Sequence, residues 1–331
     1  MGAIYLSSAC RQLFWRWICL MSRLLRLATA LFCSTMMLPW GARAEGSPAD
    51  WRTATLRGTL QFEMTSRHTG ARYVIRVGLP HAPPPAAGYP VLWMLDGNAS
   101  YPLTSFVRPH ADDTRQGSRR EAQRTSRPAG VIVAIASAND SPFDVDGRAR
   151  DYTPVPDAAT GDRLSPGFGG AAAFRQFLVE ELRPRIARQF PLNPQANTLF
   201  GFSYGGLFTV DTLLADPRHF QRYWAASPSL WFSEALLARR LASSAQINAG
   251  AGGKVVLTVG EDEQYPVSPV PTARQEHLNQ RAIVDHVRKA GAALAAANPD
   301  ASVTTVVARD HDHFDMLMHG ARRVVEFAFA P

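Results

Sequence analysis

Gly201-Phe202-Ser203-Tyr204-Gly205 sets a serine between two glycines, each two positions away. A serine hydroxyl attacks a carbonyl only when a neighbouring base takes its proton. The pattern is reactive where a strand turns sharply into a helix, because the turn lifts the hydroxyl clear of the sheet. Here the apolar run Thr198-Leu199-Phe200 precedes the serine, and residues 206–214 read as a helix after it. A tight turn with no chemistry is the plainer explanation of glycines around a serine. The strand before and the helix after weigh against it. Ser203 is thus the candidate nucleophile. The amide of Tyr204, at the start of that helix, is a candidate donor to a developing oxyanion. The chemistry would be acyl transfer from an ester.

Such a serine needs a histidine and, in the chain order serine, acid, histidine, a carboxylate between them. Of the nine histidines, His68, His81 and His110 precede the serine, and His219 follows it too closely. His277 and His286 lie in or beside an expected helix, and His319 is expected to begin the closing helix. Arg309-Asp310-His311-Asp312-His313-Phe314 follows the last expected strand, so His311 and His313 both qualify. The acid belongs just past residues 255–259, where Gly260-Glu261-Asp262-Glu263 offers three carboxylates. The Gly-x-x-acid frame selects Glu263, with Asp262 second. Asp310, His311, Asp312, His313 and Asp315 also form a dense ligand-type cluster, in which alternate residues of an extended segment point the same way and could chelate a metal together. No distant third ligand group stands out, so neither metal nor cofactor is expected. A second oxyanion donor is expected in the loop after an earlier strand, where Leu95-Asp96-Gly97-Asn98 places the Asn98 amide; Asp96 reads as a brace of that loop.

These residues need a scaffold. Residues 55–64 and 72–79 alternate and read as an opening hairpin. Residues 91–95 and 131–136 are continuous apolar runs, the signature of buried parallel strands. Further strands are expected at 198–200, 223–226, 254–259 and 303–307, and helices at 171–190, 206–214, 279–297 and 321–330. Residues 111–128 read as an exposed loop or a frayed helix, and 137–170 as a stretch too long for an ordinary connection. Strands alternating with helices predict an α/β fold with a mainly parallel central sheet, in one domain spanning 45–331.

Composition narrows the partners. The chain has 331 residues, 46% of them hydrophobic, with a formal charge of +7. That apolar content excludes a disordered chain. Met21-Ser22-Arg23-Leu24-Leu25-Arg26, the apolar residues 27–38 and an Ala42-Arg43-Ala44 end have the three-part layout of a secretory signal peptide over 1–44, with 1–20 as an upstream extension. Twelve apolar residues cannot span about 30 Å of hydrocarbon, so no membrane anchor is expected. Five arginines (11, 16, 23, 26 and 43) and no acids lie in the leader; 35 basic residues less these five leaves 30 against 28 acids, a net of +2. Nucleic acid is therefore not an expected partner. All three cysteines (10, 19 and 33) also lie there, so the mature chain carries none, which fits a periplasm.

Leu95-Asp96-Gly97-Asn98-Ala99, Arg148-Ala149-Arg150-Asp151-Tyr152-Thr153-Pro154, Gly169-Gly170, the serine segment through Phe208, Ser227-Pro228-Ser229-Leu230-Trp231 and Gly260-Glu261-Asp262-Glu263 occur in an informative order. With them the chain resembles the exported siderophore esterases, α/β-hydrolases that open catecholate trilactones. The resemblance implies Ser203 as nucleophile and Glu263 as acid. It favours His313 over His311, because the family histidine stands fourteen residues before a helix phenylalanine, here Phe327. It places Arg148 at an anionic, catecholate-bearing substrate; the alternative is an arginine holding Asp144, Asp146 or Asp151. Trp231 suits stacking on an aromatic ring or a place in the core. Phe314 departs from the small residue usual after the histidine. The expected activity is periplasmic ester hydrolysis of a catecholate siderophore. The alternatives are a general or feruloyl-type carboxylesterase, a non-catalytic ferric-siderophore binder, and a metallohydrolase.

Overall fold

The computed structural model describes residues 54–108, 129–162, 164–243 and 253–330. The expected leader (1–44) and all of the stretch 111–128 lie outside them. Residues Thr55–Pro331 form one compact unit.

Among the described residues, eight strands form one sheet: β1 (Thr59–Thr65), β2 (Arg72–Gly78), β3 (Tyr89–Met94), β4 (Val131–Ser137), β5 (Leu192–Phe202), β6 (Arg222–Ala226), β7 (Lys254–Gly260) and β8 (Ser302–Ala308). Their spatial order is β1-β2-β4-β3-β5-β6-β7-β8. β1 and β2 form the expected antiparallel hairpin, and β2 also runs antiparallel to β4. The remaining pairs are parallel. Every residue of β3 is buried, as its unbroken apolar run requires when both sheet faces are covered.

Successive side chains point to opposite faces, so neighbours in β3 and β5 enter different cores. Trp93 and Leu199 join Phe174, Phe177 and Phe208 on one side. Leu92, Met94 and Phe200 join Trp224, Met316 and Phe329 on the other. The α-helices are α1 (Gly97–Val107), α2 (Val145–Tyr152), α3 (Ala171–Gln176), α4 (Arg183–Ala187), α5 (Tyr204–Ala215), α6 (Phe232–Ser243), α7 (Thr272–Arg281), α8 (Ile283–Ala297) and α9 (His313–Phe329), and all but α7 bury residues. α3 and α4 are joined by a π-helical turn, Phe177–Leu182.

Several elements differ from expectation for local reasons. α1 is hidden in the sequence by Gly97, Asn98 and Pro102, which read as a loop. α2 lies inside the long stretch 137–170, capped by Asp144, whose carboxylate accepts the Gly147 amide. The helix expected at 279–297 is two helices, broken at Ala282, which takes a left-handed φ of 42°. α9 begins at His313, not at 321, so His319 lies within it. Asp312 starts it: its side chain accepts the amides of Phe314 and Asp315, and the Asp315 carboxylate accepts the Asp312 amide. That reciprocal arrangement satisfies orphan first-turn donors.

Candidate active site

Ser203 sits at the junction of β5 and α5 with φ 59° and ψ −116°, a conformation that is strained for any side-chain-bearing residue. The turn closes because its neighbours have no Cβ. A Cβ on Gly201 would lie 2.0 Å from the Gly205 carbonyl oxygen, and one on Gly206 would lie 2.9 Å from that of Ala226. The Ser203 amide is itself spent on the Ala226 carbonyl, at 2.9 Å. Tyr204 opens α5, so its amide is one of the first-turn donors without a helical acceptor.

Asn98 stands in the matching position of α1. The amides of Ala99 and Ser100 go to the Asp96 carbonyl, which leaves Gly97 and Asn98 as first-turn donors. Their turn abuts the serine turn: a Cβ on Gly205 would approach Asp96 Oδ2 to 3.3 Å and Leu95 Cβ to 3.4 Å. The Asn98 side chain is occupied elsewhere. It accepts from Arg76 Nη1 at 2.6 Å and donates to the carbonyls of Ser137 and Ser141 at 3.1 and 2.9 Å.

The structure brings Glu263 and His313 together. Glu263 ends a 3₁₀ turn directly after β7, and His313 is the first residue of α9. Imidazole Nδ1 lies 2.5 Å from Glu263 Oε2. The other oxygen, Oε1, accepts the Ser227 hydroxyl at 2.5 Å and the Gly260 amide at 2.8 Å. With both oxygens satisfied, the buried carboxylate is held as an acceptor. Its bond to Nδ1 selects the imidazole tautomer whose Nε2 is free to take a proton. Gly260 permits the approach: a Cβ there would lie 2.1 Å from the His311 carbonyl oxygen. Asp262 instead gives its amide to that carbonyl, and its buried Oδ1 has no hydrogen-bond partner among the described residues. His311 turns away, its Nδ1 2.6 Å from the Arg309 carbonyl. The Phe202 ring packs on His313 at 4.5 Å between centroids, so the imidazole is fixed beside the residue preceding the nucleophile. Ser203 Oγ lies 3.4 Å from Ser229 Oγ. Among the described residues no hydrogen bond joins Ser203 to His313, and such bonds commonly tighten only with substrate in place.

The Esterase family model ("Putative esterase") matches residues 66–293. The chain belongs to the esterase family. It is 33% identical over 239 residues to the ferri-bacillibactin esterase BesA of Bacillus subtilis (strain 168), spanning 70% of this chain and 79% of that one. It is 32% identical over 240 residues to the siderophore enterobactin esterase of Emericella nidulans, 67% of this chain and 76% of that one. Among solved structures, the BES protein from Bacillus cereus superposes with a TM-score of 0.66 at 26% identity, over 86% of this chain and 100% of that one. The enterobactin and salmochelin hydrolase IroE shares the fold, with a TM-score of 0.60 at 23% identity, over 84% of this chain and 98% of that one. The sheet and helices above are those of an α/β-hydrolase, and the chain is a carboxylic ester hydrolase.

Around the serine of this esterase the two expected substrate residues have partners of their own. Arg148 does not hold Asp144, Asp146 or Asp151. Its Nε and Nη2 grip the two carboxylate oxygens of buried Asp96 at 2.7 and 3.2 Å, and Nη2 also donates to the Phe202 carbonyl at 3.1 Å. Burial drives the Asp96 pKa upward, and the guanidinium opposes that shift. Arg148 is thus paired with Asp96 and not with any of the three carboxylates considered for it. It ties the α1 turn to the serine turn and lies over Phe143 at 4.9 Å. Trp231 is half-buried beside Tyr204, with centroids 6.0 Å apart. Arg281 lies over its ring. Phe314 is 59% exposed and, with Phe143 and Phe202, walls the histidine side of the site.

Three participants are not evident as such in the sequence: Ser227, Ser229 and Arg281. The first two belong to the quoted Ser227–Trp231 stretch, where alternate residues serve the acid, the nucleophile and the Tyr204 side. That period of two, after a strand, was the available signal. Arg281, at a helix end, had none.

Proposed function

We propose that this esterase is a serine hydrolase that opens the ester linkages of a catecholate siderophore. The observation that carries the mechanism is the Glu263–His313 pair, with Glu263 held by Ser227 and Gly260, beside the strained Ser203 turn. In this reading His313 Nε2 takes the Ser203 proton as Oγ bonds to the ester carbonyl carbon. The amides of Tyr204 and Asn98 receive the resulting oxyanion, where preorganised donors are worth most. Collapse breaks the bond to the alkoxy group, which leaves with the proton from His313. Water, deprotonated by the same imidazole, then displaces Ser203 from the acyl-enzyme and releases the acid. Glu263 keeps the imidazole aimed and stabilises its cation throughout.

The substrate assignment is supported by the relatives named for siderophore esters and by the aromatic surroundings of the serine: Phe143, Phe202 and Phe314 on one side, Tyr204 and Trp231 on the other. The periplasm is the proposed location, on the signal-type layout of residues 1–44 and the absence of cysteine after it. Chromatography of products from a catecholate trilactone incubated with the mature chain tests the reading. Linear products that vanish in Ser203→Ala are expected. Ser203-dependent cleavage of simple aryl esters, with the trilactone untouched, would reject the siderophore substrate and keep the esterase.

A further inference from the structure

Among the described residues Arg281 is a cation with no carboxylate in contact. Arg148, Arg150, Arg175, Arg218 and Arg239 each have a carboxylate oxygen within 3 Å. Among the described residues Arg281 has none at ion-pairing distance, and its buried Nε meets no hydrogen-bond acceptor. The Nε of Arg183 likewise meets no acceptor, but Arg183 holds the His219 carbonyl through Nη2. An arginine at the last position of α7 is ordinary, since cations complement a helix C-terminus. A solvated side chain would serve that purpose. Instead, the guanidinium carbon lies 4.1 Å from the centroid of the Trp231 ring. Burial lowers its pKa, with Tyr204 and Asp162 opposing that shift.

The place matters. Arg281 lines a cavity of about 920 Å³ together with Gly161, Asp162, Leu164 and His277. Asp162 accepts the hydroxyl of Tyr204 at 2.6 Å, and Tyr204 directly follows the nucleophile. The cavity therefore adjoins the reacting serine through one side chain. Asp162 does not neutralise the arginine at contact; its oxygens take the Tyr204 hydroxyl, the Leu164 amide at 2.7 Å and the Ser165 hydroxyl at 3.2 Å. Glu276 and His277 also face the cavity, both exposed. Desolvating a charge and leaving it unpaired is costly, so the position is one that a bound anion would relieve. A planar guanidinium suits two adjacent anionic oxygens on one ring.

Resting on the catecholate reading above, we propose that Arg281, mounted on Trp231, receives an iron-bound catecholate and makes the enzyme prefer the iron-loaded substrate over the iron-free one. A catechol bound to Fe(III) has lost both phenolic protons, and the complex is an anion. A free catechol keeps its protons at neutral pH, and the iron-free trilactone is neutral. One unpaired cation discriminates between these two states of the same molecule.

The test is kcat/KM for the iron-loaded and iron-free forms of one trilactone, with wild type, Arg281→Met, Arg281→Gln and Arg281→Lys, each checked by thermal unfolding. Wild type should favour the iron-loaded form. Arg281→Met and Arg281→Gln should lower the iron-loaded to iron-free ratio about tenfold or more, mainly through KM, the size expected for a lost charged contact. Arg281→Lys should restore part of it. The wild-type KM for the iron-loaded form should rise with salt, and that slope should flatten in the two uncharged variants. A ratio unchanged in folded Arg281→Met and Arg281→Gln overturns the proposal, as does a wild-type preference for the iron-free form. If neither form is cut while an aryl ester is hydrolysed through Ser203, the catecholate reading has failed and this proposal with it.

Discussion

Replacing Glu263 by Gln removes one charge and keeps nearly every atom in place. Glutamine can still present an oxygen to the Ser227 hydroxyl and the Gly260 amide, where Oε1 now sits at 2.5 and 2.8 Å. Its NH₂ then faces His313 Nδ1, which is 2.5 Å from Oε2 in the native protein. Two N–H groups cannot bond to each other, so the ring is driven to the tautomer that carries its proton on Nε2, and Nε2 can no longer act as base. The lost attraction can be sized. With charge centres about 4 Å apart and an effective dielectric near 20, a carboxylate stabilises an imidazolium by about 4 kcal/mol. At 1.36 kcal/mol per tenfold, kcat should fall about a thousandfold. The assay is steady-state hydrolysis of a chromogenic aryl ester, with the thermal midpoint confirming that the variant is folded. A kcat within tenfold of wild type would refute the reasoning. It would mean that packing against Phe202 orients His313 well enough without the carboxylate.

Ser227→Ala leaves Glu263 Oε1 with the Gly260 amide alone. Losing one hydrogen bond to a charged acceptor costs about 1.5 kcal/mol, so kcat should drop roughly tenfold with KM steady; a change confined to KM would contradict the positioning role. Asp162 is held below the ordinary carboxylate range, because the Tyr204 hydroxyl, the Leu164 amide and the Ser165 hydroxyl together outweigh its burial. Its contribution to stability is thus present above the unfolded carboxylate pKa and is lost as pH falls through the lower folded value. The gap in urea midpoint between wild type and Asp162→Asn should be open at neutral pH and close in acid; a gap that ignores pH would sink this account.

The Ser203 turn was legible because its signal is local: an apolar strand, glycines where Cβ atoms would collide, an apolar helix. The sheet was legible for a related reason, since strands buried on both faces must read as apolar runs. Helix starts made by side-chain caps were less so. Asp312 and Asp315 looked like ligand-type residues in a loop, yet they are the reciprocal cap that begins α9 at His313. The order of acids was legible only to a frame. Glu261, Asp262 and Glu263 are adjacent in sequence, and what separates them is a 3₁₀ turn whose second residue gives its amide to the His311 carbonyl. That bond depends on Gly260 admitting the His311 carbonyl, a contact between segments some fifty residues apart.

Arg148 and Arg281 show why charge is the hardest property to carry from sequence to site. Both are arginines near the nucleophile, and both lie over aromatic rings. Arg148 has a motif around it, and its guanidinium is held by both oxygens of Asp96, which locks the α1 turn against the serine turn. Arg281 has no motif and, among the described residues, no carboxylate in contact. A cation whose partner is built into the fold contributes rigidity, because the pair is already satisfied before any ligand arrives. A cation left bare contributes affinity, because its desolvation is compensated only when an anion binds. The net +2 of the chain beyond residue 44 says nothing about which arginine is which. That is decided by where one aspartate lies, and Asp96 lies against Arg148.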